Sequence, residues 1–132
     1  MCLLSETVKP KKAEKDIRCY KVLFRNKKTK ELYSPYMSYY KWELNKEHKA
    51  ERARYIHNRM VMNGYFHTFK HANVADHLAR NFKTDHMHTA VVYECKIPAG
   101  TYYFTGLDSQ FHDGYASKKL VILEEARLYE AE

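Results

Sequence analysis

One stretch constrains this chain more than any other: Gly64-Tyr65-Phe66-His67-Thr68-Phe69-Lys70, then a short helix signal, then Cys95-Lys96-Ile97-Pro98-Ala99-Gly100-Thr101. Its periodicities predict strand, helix, strand and tight turn in succession. Val74, Ala75, Leu78, Ala79 and Phe82 share one apolar face at helical spacing, which predicts a helix over 73–83. Asn73 is placed to cap it, and Asp76 favours its positive end. In the strand expected over Thr89 to Ile97, Val91, Tyr93, Cys95 and Ile97 face inward while Glu94 and Lys96 face water. Most of the histidines fall in the same stretch, so it is the expected centre of both the core and any site.

The rest of the chain fills in around that centre. Residues 1–15, with Pro10 and four lysines, read as a basic arm, and residues 16–132 as a single domain. Ile17 to Phe24 reads as a strand with Ile17, Cys19 and Leu23 on one side and Tyr20, Val22 and Phe24 on the other. Leu32 to Trp42 is a second aromatic-rich strand region, broken by Ser34-Pro35. The Glu, Lys, Arg and Ala content of Leu44 to Arg59 predicts an exposed helix over 44–59. Tyr102 to Thr105 reads as a short strand, Gly106 to Tyr115 as a loop, and Lys119 to Leu123 as the last strand. The order implies an α+β domain with a mostly antiparallel sheet.

Charge is unevenly placed along this order. Residues 1–70 carry 17 Lys and Arg against 7 Asp and Glu, whereas residues 71–132 carry 6 against 9. Tyrosines, among them Tyr33, Tyr36, Tyr39, Tyr40, Tyr55 and Tyr65, concentrate in the basic half. Cations interleaved with aromatic rings suit a nucleic acid or a protein partner, with Arg18, Tyr20, Tyr36, Tyr65 and Lys70 as binding candidates. The same residues also read as solvated turns and ordinary strand tyrosines. No apolar run approaches the ~20 residues of a membrane span. No signal peptide is legible, and the three cysteines, Cys2, Cys19 and Cys95, fit reduced thiols, so a cytoplasmic protein without membrane contact is expected.

Five histidines, His67, His71, His77, His86 and His88, raise the question of a metal. No Cys pair or HExxH accompanies them, and the expectation is no metal and no cofactor. His67 shares a strand face with Tyr65 and Phe69, where a histidine can act as a general acid or base or as a core residue with one hydrogen bond. Cys95, at an inward strand position, has the raised thiol pKa of a poor nucleophile.

Met1-Cys2-Leu3, Lys9-Pro10-Lys11 to Ile17, Tyr20-Lys21-Val22-Leu23, Ser34-Pro35-Tyr36, Phe66-His67-Thr68-Phe69 and Ile97-Pro98-Ala99-Gly100-Thr101 together resemble a group of small proteins of gut bacteria and their phages. No chemistry comes with that resemblance. The order of elements is similar to part of an ADP-ribosyltransferase fold. That resemblance implies a nicotinamide nucleotide held by a basic residue on the first strand, here Arg18, and by a Ser-Thr-Ser-like strand, here His67-Thr68-Phe69, with His67 and Thr68 as catalytic candidates. It also implies a glutamate before a late strand, where this chain has Ala116-Ser117-Lys118-Lys119 ahead of Leu120-Val121-Ile122. The carboxylate that stabilises positive charge as nicotinamide departs is therefore missing there, and Glu124 or Glu125 would have to supply it. The leading expectation is a binding module of phage or mobile-element origin; the alternative is a nucleotide-using transferase.

Overall fold

The computed structural model describes residues 3–7, 9–35, 40–50, 56–57, 60–61, 65–108, 110 and 112–127. The strands are β1 Leu3–Ser5, β2 Lys11–Lys12, β3 Ile17–Asn26, β4 Leu32–Tyr33, β5 Lys41–Trp42, β6 Glu47–Lys49, β7 Ile56–His57, β8 Met60–Val61 and β9 Phe66–Phe69. After the helix α1 Ala72–Asn81 come β10 His88–Ile97, β11 Tyr102–Asp108, β12 Asp113–Ser117 and β13 Lys119–Glu125. The fold is α+β: a mostly antiparallel sheet with, among the described residues, one short helix, as the order of elements predicts.

β3 and β10 form the backbone of the sheet. They pair in one unbroken register from Ile17↔Ile97 to Asn26↔His88, because both alternate apolar residues on two covered faces. One face carries Cys19, Leu23, Cys95 and Ile97, closed by Leu32, Trp42, Leu120 and Ile122. The other carries Val22 and Val92 beneath α1. A ten-residue helix is marginal alone, so packing holds it. Ala75 and Ala79 let its axis approach the sheet, and the Phe82 ring meets Phe24 edge-on at 5.6 Å. The helix start differs from expectation: His71 is the N-cap residue, without a side-chain cap bond, and Asn73 lies inside the first turn. A third cluster, Leu3, Tyr65, Phe104 and Ala116, anchors the opposite end of the sheet.

Three further sequence expectations meet different structure. The exposed helix over 44–59 is absent where that span is described: Glu47–Lys49 pairs with β13 as an edge strand and Ile56–His57 with β8. Charged residues that favour helices also suit a sheet edge, and tertiary pairing decided between them. The loop expected over 106–115 is mostly strand, because Gly106 and Gly114 continue β11 and β12 in register. Asp108 turns the connection by accepting from the amides of Gln110 and His112. Residues 1–15, read as an arm, supply two strands, with Leu3 and Ala13 buried.

Neighbouring strands run β6-β13-β10-β3-β9-β12-β11-β1-β8-β7, with β4 and β5 appended to β3. One joint in this path is unlike the others. Between β3 and β9 a single pair is in register, Tyr20↔Phe69, and beyond it the two strands part. The sheet thus consists of two halves hinged at one residue pair.

Candidate functional site

Where β9 leaves β3, its main chain loses a strand partner on that side, and an orphaned carbonyl must find a donor. Lys21 provides it: Nζ donates to the main-chain oxygen of His67 at 2.8 Å. Lys21 holds an inward position of β3, between Cys19 and Leu23. Its residue keeps partial exposure, but its ammonium is crowded by protein, and that burial lowers its pKa to about 8. No carboxylate pairs with it among the described residues.

Aromatic rings fill the wedge around this ammonium. The Trp42 ring centre lies 5.8 Å from Nζ. Trp42 in turn packs on Phe66 of β9 at 4.8 Å, on Tyr40 at 5.0 Å and on His48 at 4.6 Å, so that the rings bridge the two halves. Trp42 is itself fixed, since its indole N–H donates to Ser34 Oγ at 2.7 Å in a buried contact. On the β12 side, Tyr115 packs against the Cys19 cluster and carries the Lys70 ammonium 5.3 Å above its ring. Burial, then the neighbouring Cys19, raise the Tyr115 phenol above its ordinary value. Tyr40, Phe66 and Tyr115 are only half-buried and keep an edge toward solvent.

His48 closes one side of the wedge. Its Nε2 lies 3.1 Å from the Glu43 amide nitrogen and 3.4 Å from the Glu43 main-chain oxygen, and its Nδ1 lies 3.1 Å from the Tyr40 hydroxyl. Burial pushes its pKa below the ordinary histidine value. Thr68 lies on the β9 face of Phe66, and its Oγ1 is buried with no hydrogen-bond partner among the described residues. An unpaired buried hydroxyl is costly, by about 1–3 kcal/mol, unless something arrives to pair with it.

The sequence-derived candidates are distributed unevenly about this wedge. Thr68 and Lys70 border it, and His67 contributes its carbonyl oxygen, its ring falling by alternation on the face of Tyr65 and Phe69. Arg18 is turned away and pairs with Glu94 at 2.7 Å. Tyr20 packs beside α1, and Tyr65 stacks edge-on against Phe104 at 5.6 Å. Tyr36 lies outside the described residues. Lys21, which sequence reasoning passed over, was detectable as the charged gap in the inward series Ile17, Cys19, Leu23. Cys19 and Cys95 are free and buried, and Cys95 is held well above the usual thiol range by burial and by Cys19.

Glu124 and Glu125 end β13 opposite Glu94 and Tyr93, and Glu125 binds Arg25 at 3.0 Å. Lys119, at the start of the same strand, pairs with Glu47 at 3.1 Å. No group of three or more His, Cys, Asp or Glu side chains suited to a metal exists among the described residues. Nor is any described helix long and apolar enough to cross a membrane. A concavity of about 200 Å3 between α1 and β10 is lined by Ala79, Ala90 and Val92, with Arg80 already paired to Asp76 at 3.0 Å. Compared with protein-family models, curated proteins and solved structures, the chain matches none.

Proposed function

We propose that the protein is a binding module that takes a planar, anionic ligand of the nucleotide class at the wedge between β3 and β9. The observation that carries this reading is Lys21: an ammonium desolvated among aromatic rings, satisfied by one carbonyl and matched by no carboxylate among the described residues. A buried cation without a counter-ion is unfavourable in the free protein and becomes favourable when an anion reaches it. Half-buried Tyr40, Phe66 and Tyr115 offer stacking faces to a base, and Lys70 a second cation for a phosphate. The unpaired Thr68 hydroxyl adds a hydrogen-bonding group of the kind that fixes a ligand's orientation.

Transfer of a ribosyl group would require a carboxylate near the departing ring. Glu125 is committed to Arg25, and Glu124 faces Glu94 in register on the adjacent strand, so the reading is binding without transfer. Several cations of the basic half are likewise committed: Arg18 to Glu94, Lys41 to Glu31 and Lys46 to Glu43. That favours the wedge over a general polyanion surface.

A thermal-shift titration with nicotinamide adenine dinucleotide, at low and moderate salt, tests the reading on the wild type and on Lys21→Met. The expected result is a rise in Tm that survives salt and shrinks in the variant. A rise produced equally by RNA and single-stranded DNA and erased by salt would move the site to the basic first half. No rise with the dinucleotide overturns the proposal.

A further inference from the structure

We propose that Lys21 is an aldehyde-reactive lysine: a ligand that presents a carbonyl carbon at the wedge between β3 and β9 forms an imine with its ε-amine. The inference rests on the wedge being a ligand site, and it adds covalent capture to the binding proposed above.

Lysines become nucleophiles when their surroundings favour the neutral amine. Around Lys21 it is burial that does so, against the neighbouring Cys95 and Cys19, which favour the ammonium: the side chain stands at an inward position between Cys19 and Leu23, Tyr93 is its cross-strand partner in the β3–β10 register, and the Trp42 ring centre lies 5.8 Å from Nζ. Other lysines are differently placed: Lys41, Lys46, Lys96 and Lys119 each pair with a carboxylate. The lowering of the Lys21 pKa to about 8 supports the same conclusion. Its one hydrogen bond, to the carbonyl of His67, fixes the amine at the hinge and leaves the nitrogen lone pair available once a proton has gone to solvent.

The chemistry balances without an oxidant or reductant. The neutral amine attacks the carbonyl carbon, a C–N bond forms, and the carbonyl electron pair moves to oxygen, which takes up a proton. Loss of water from the resulting carbinolamine gives the imine. The Thr68 hydroxyl, buried without a partner on the peptide unit that Lys21 already engages, is the group placed to hydrogen-bond that oxygen.

Pyridoxal 5′-phosphate is a suitable probe, because it is planar, anionic and an aldehyde. The full chain is incubated with it below one equivalent, reduced with borohydride, and mapped by peptide mass spectrometry. The expected result is roughly tenfold or more label at Lys21 than at any of the exposed Lys27, Lys28 and Lys30, given the larger neutral fraction of an amine at lowered pKa. In Lys21→Met that label disappears while the surface lysines keep theirs. Label spread over the surface lysines, with no excess at Lys21, overturns the inference. A parallel titration with the dinucleotide, which carries no free aldehyde, separates the two readings. Preferential labelling without dinucleotide binding upholds the reactive amine and removes the nucleotide ligand; dinucleotide binding without preferential labelling does the reverse.

Discussion

Lys21 Nζ and the main-chain oxygen of His67, 2.8 Å apart, tie the two halves of the sheet together just beyond their single registered pair, Tyr20↔Phe69. A neutral donor of the right length would satisfy that carbonyl without placing a charge among aromatic rings. On the proposed reading, the charge at this position serves the anion that the wedge receives.

Replacing the charge should stabilise the empty protein. The folded pKa of Lys21 is about 8, against an ordinary 10.5, so the unfolded chain holds the proton more tightly. The penalty is present in full below pH 8 and relieved as pH rises toward 10.5, where stability increases with pH. Lys21→Met removes the penalty together with the hydrogen bond to the His67 carbonyl, for a net gain of about 1–2 kcal/mol at pH 7. Urea denaturation of wild type and variant at pH 7 and pH 10 checks this. The gain should fall away at the higher pH. The raised thiol of Cys95 acts with the opposite sign, its contribution to stability being lost as pH rises above 9, and because Lys21 lowers that thiol the variant feels this loss more.

Ser34→Ala tests how firmly the wedge is built. The hydroxyl accepts the Trp42 indole N–H at 2.7 Å where both residues are buried, so its loss leaves a donor unsatisfied. The expected destabilisation is about 1–3 kcal/mol with an unchanged denaturant slope. A loss near zero would mean that Trp42 finds another acceptor.

The far half of the sheet depends on two glycines facing one another. A Cβ on Gly106 would lie 1.9 Å from the Leu4 carbonyl oxygen, and one on Gly114 would lie 2.7 Å from that of Thr68. Both obstacles are backbone, so β1 must move away in Gly106→Ala. The expected loss is at or above the upper end of the ~1–3 kcal/mol typical of overpacking. Amide exchange should show Leu3–Ser5 losing protection before β3 and β10 do.

How much of this was legible in the residues depended on whether periodicity alone decided the outcome. It did for β3, β10 and α1, where Cys19 with Leu23, Val91 through Ile97, and Val74 through Phe82 each repeat at the spacing of their element. It did not for Glu47–Lys49, whose composition favours a helix and whose strand exists only because β13 lies alongside. The site was half legible. Phe66-His67-Thr68-Phe69 stood out as a strand of mixed chemistry, but Lys21 stood in an apolar series, where a scan for hydrophobic alternation skips a charge. The parting of β3 from β9 is a relation between strands far apart in the chain, and no local pattern encodes it.

Thr68→Val separates a structural role from a binding role more cleanly than any other change at the wedge. Valine has the shape of threonine without its hydroxyl, and Thr68 Oγ1 is buried without a partner. Removing an unsatisfied polar atom from an otherwise intact environment should be neutral or stabilise the free protein by up to about 1 kcal/mol. A hydroxyl serving only the fold would make the same change destabilising. If the hydroxyl meets the ligand, dinucleotide affinity should fall roughly tenfold, since a ligand group that met it would be left unpaired in the complex. Denaturation and ligand titration on the same preparation read both effects. The combination expected is stability held or raised with affinity reduced; stability raised with affinity unchanged would remove Thr68 from the site and leave the wedge to Lys21 and its rings.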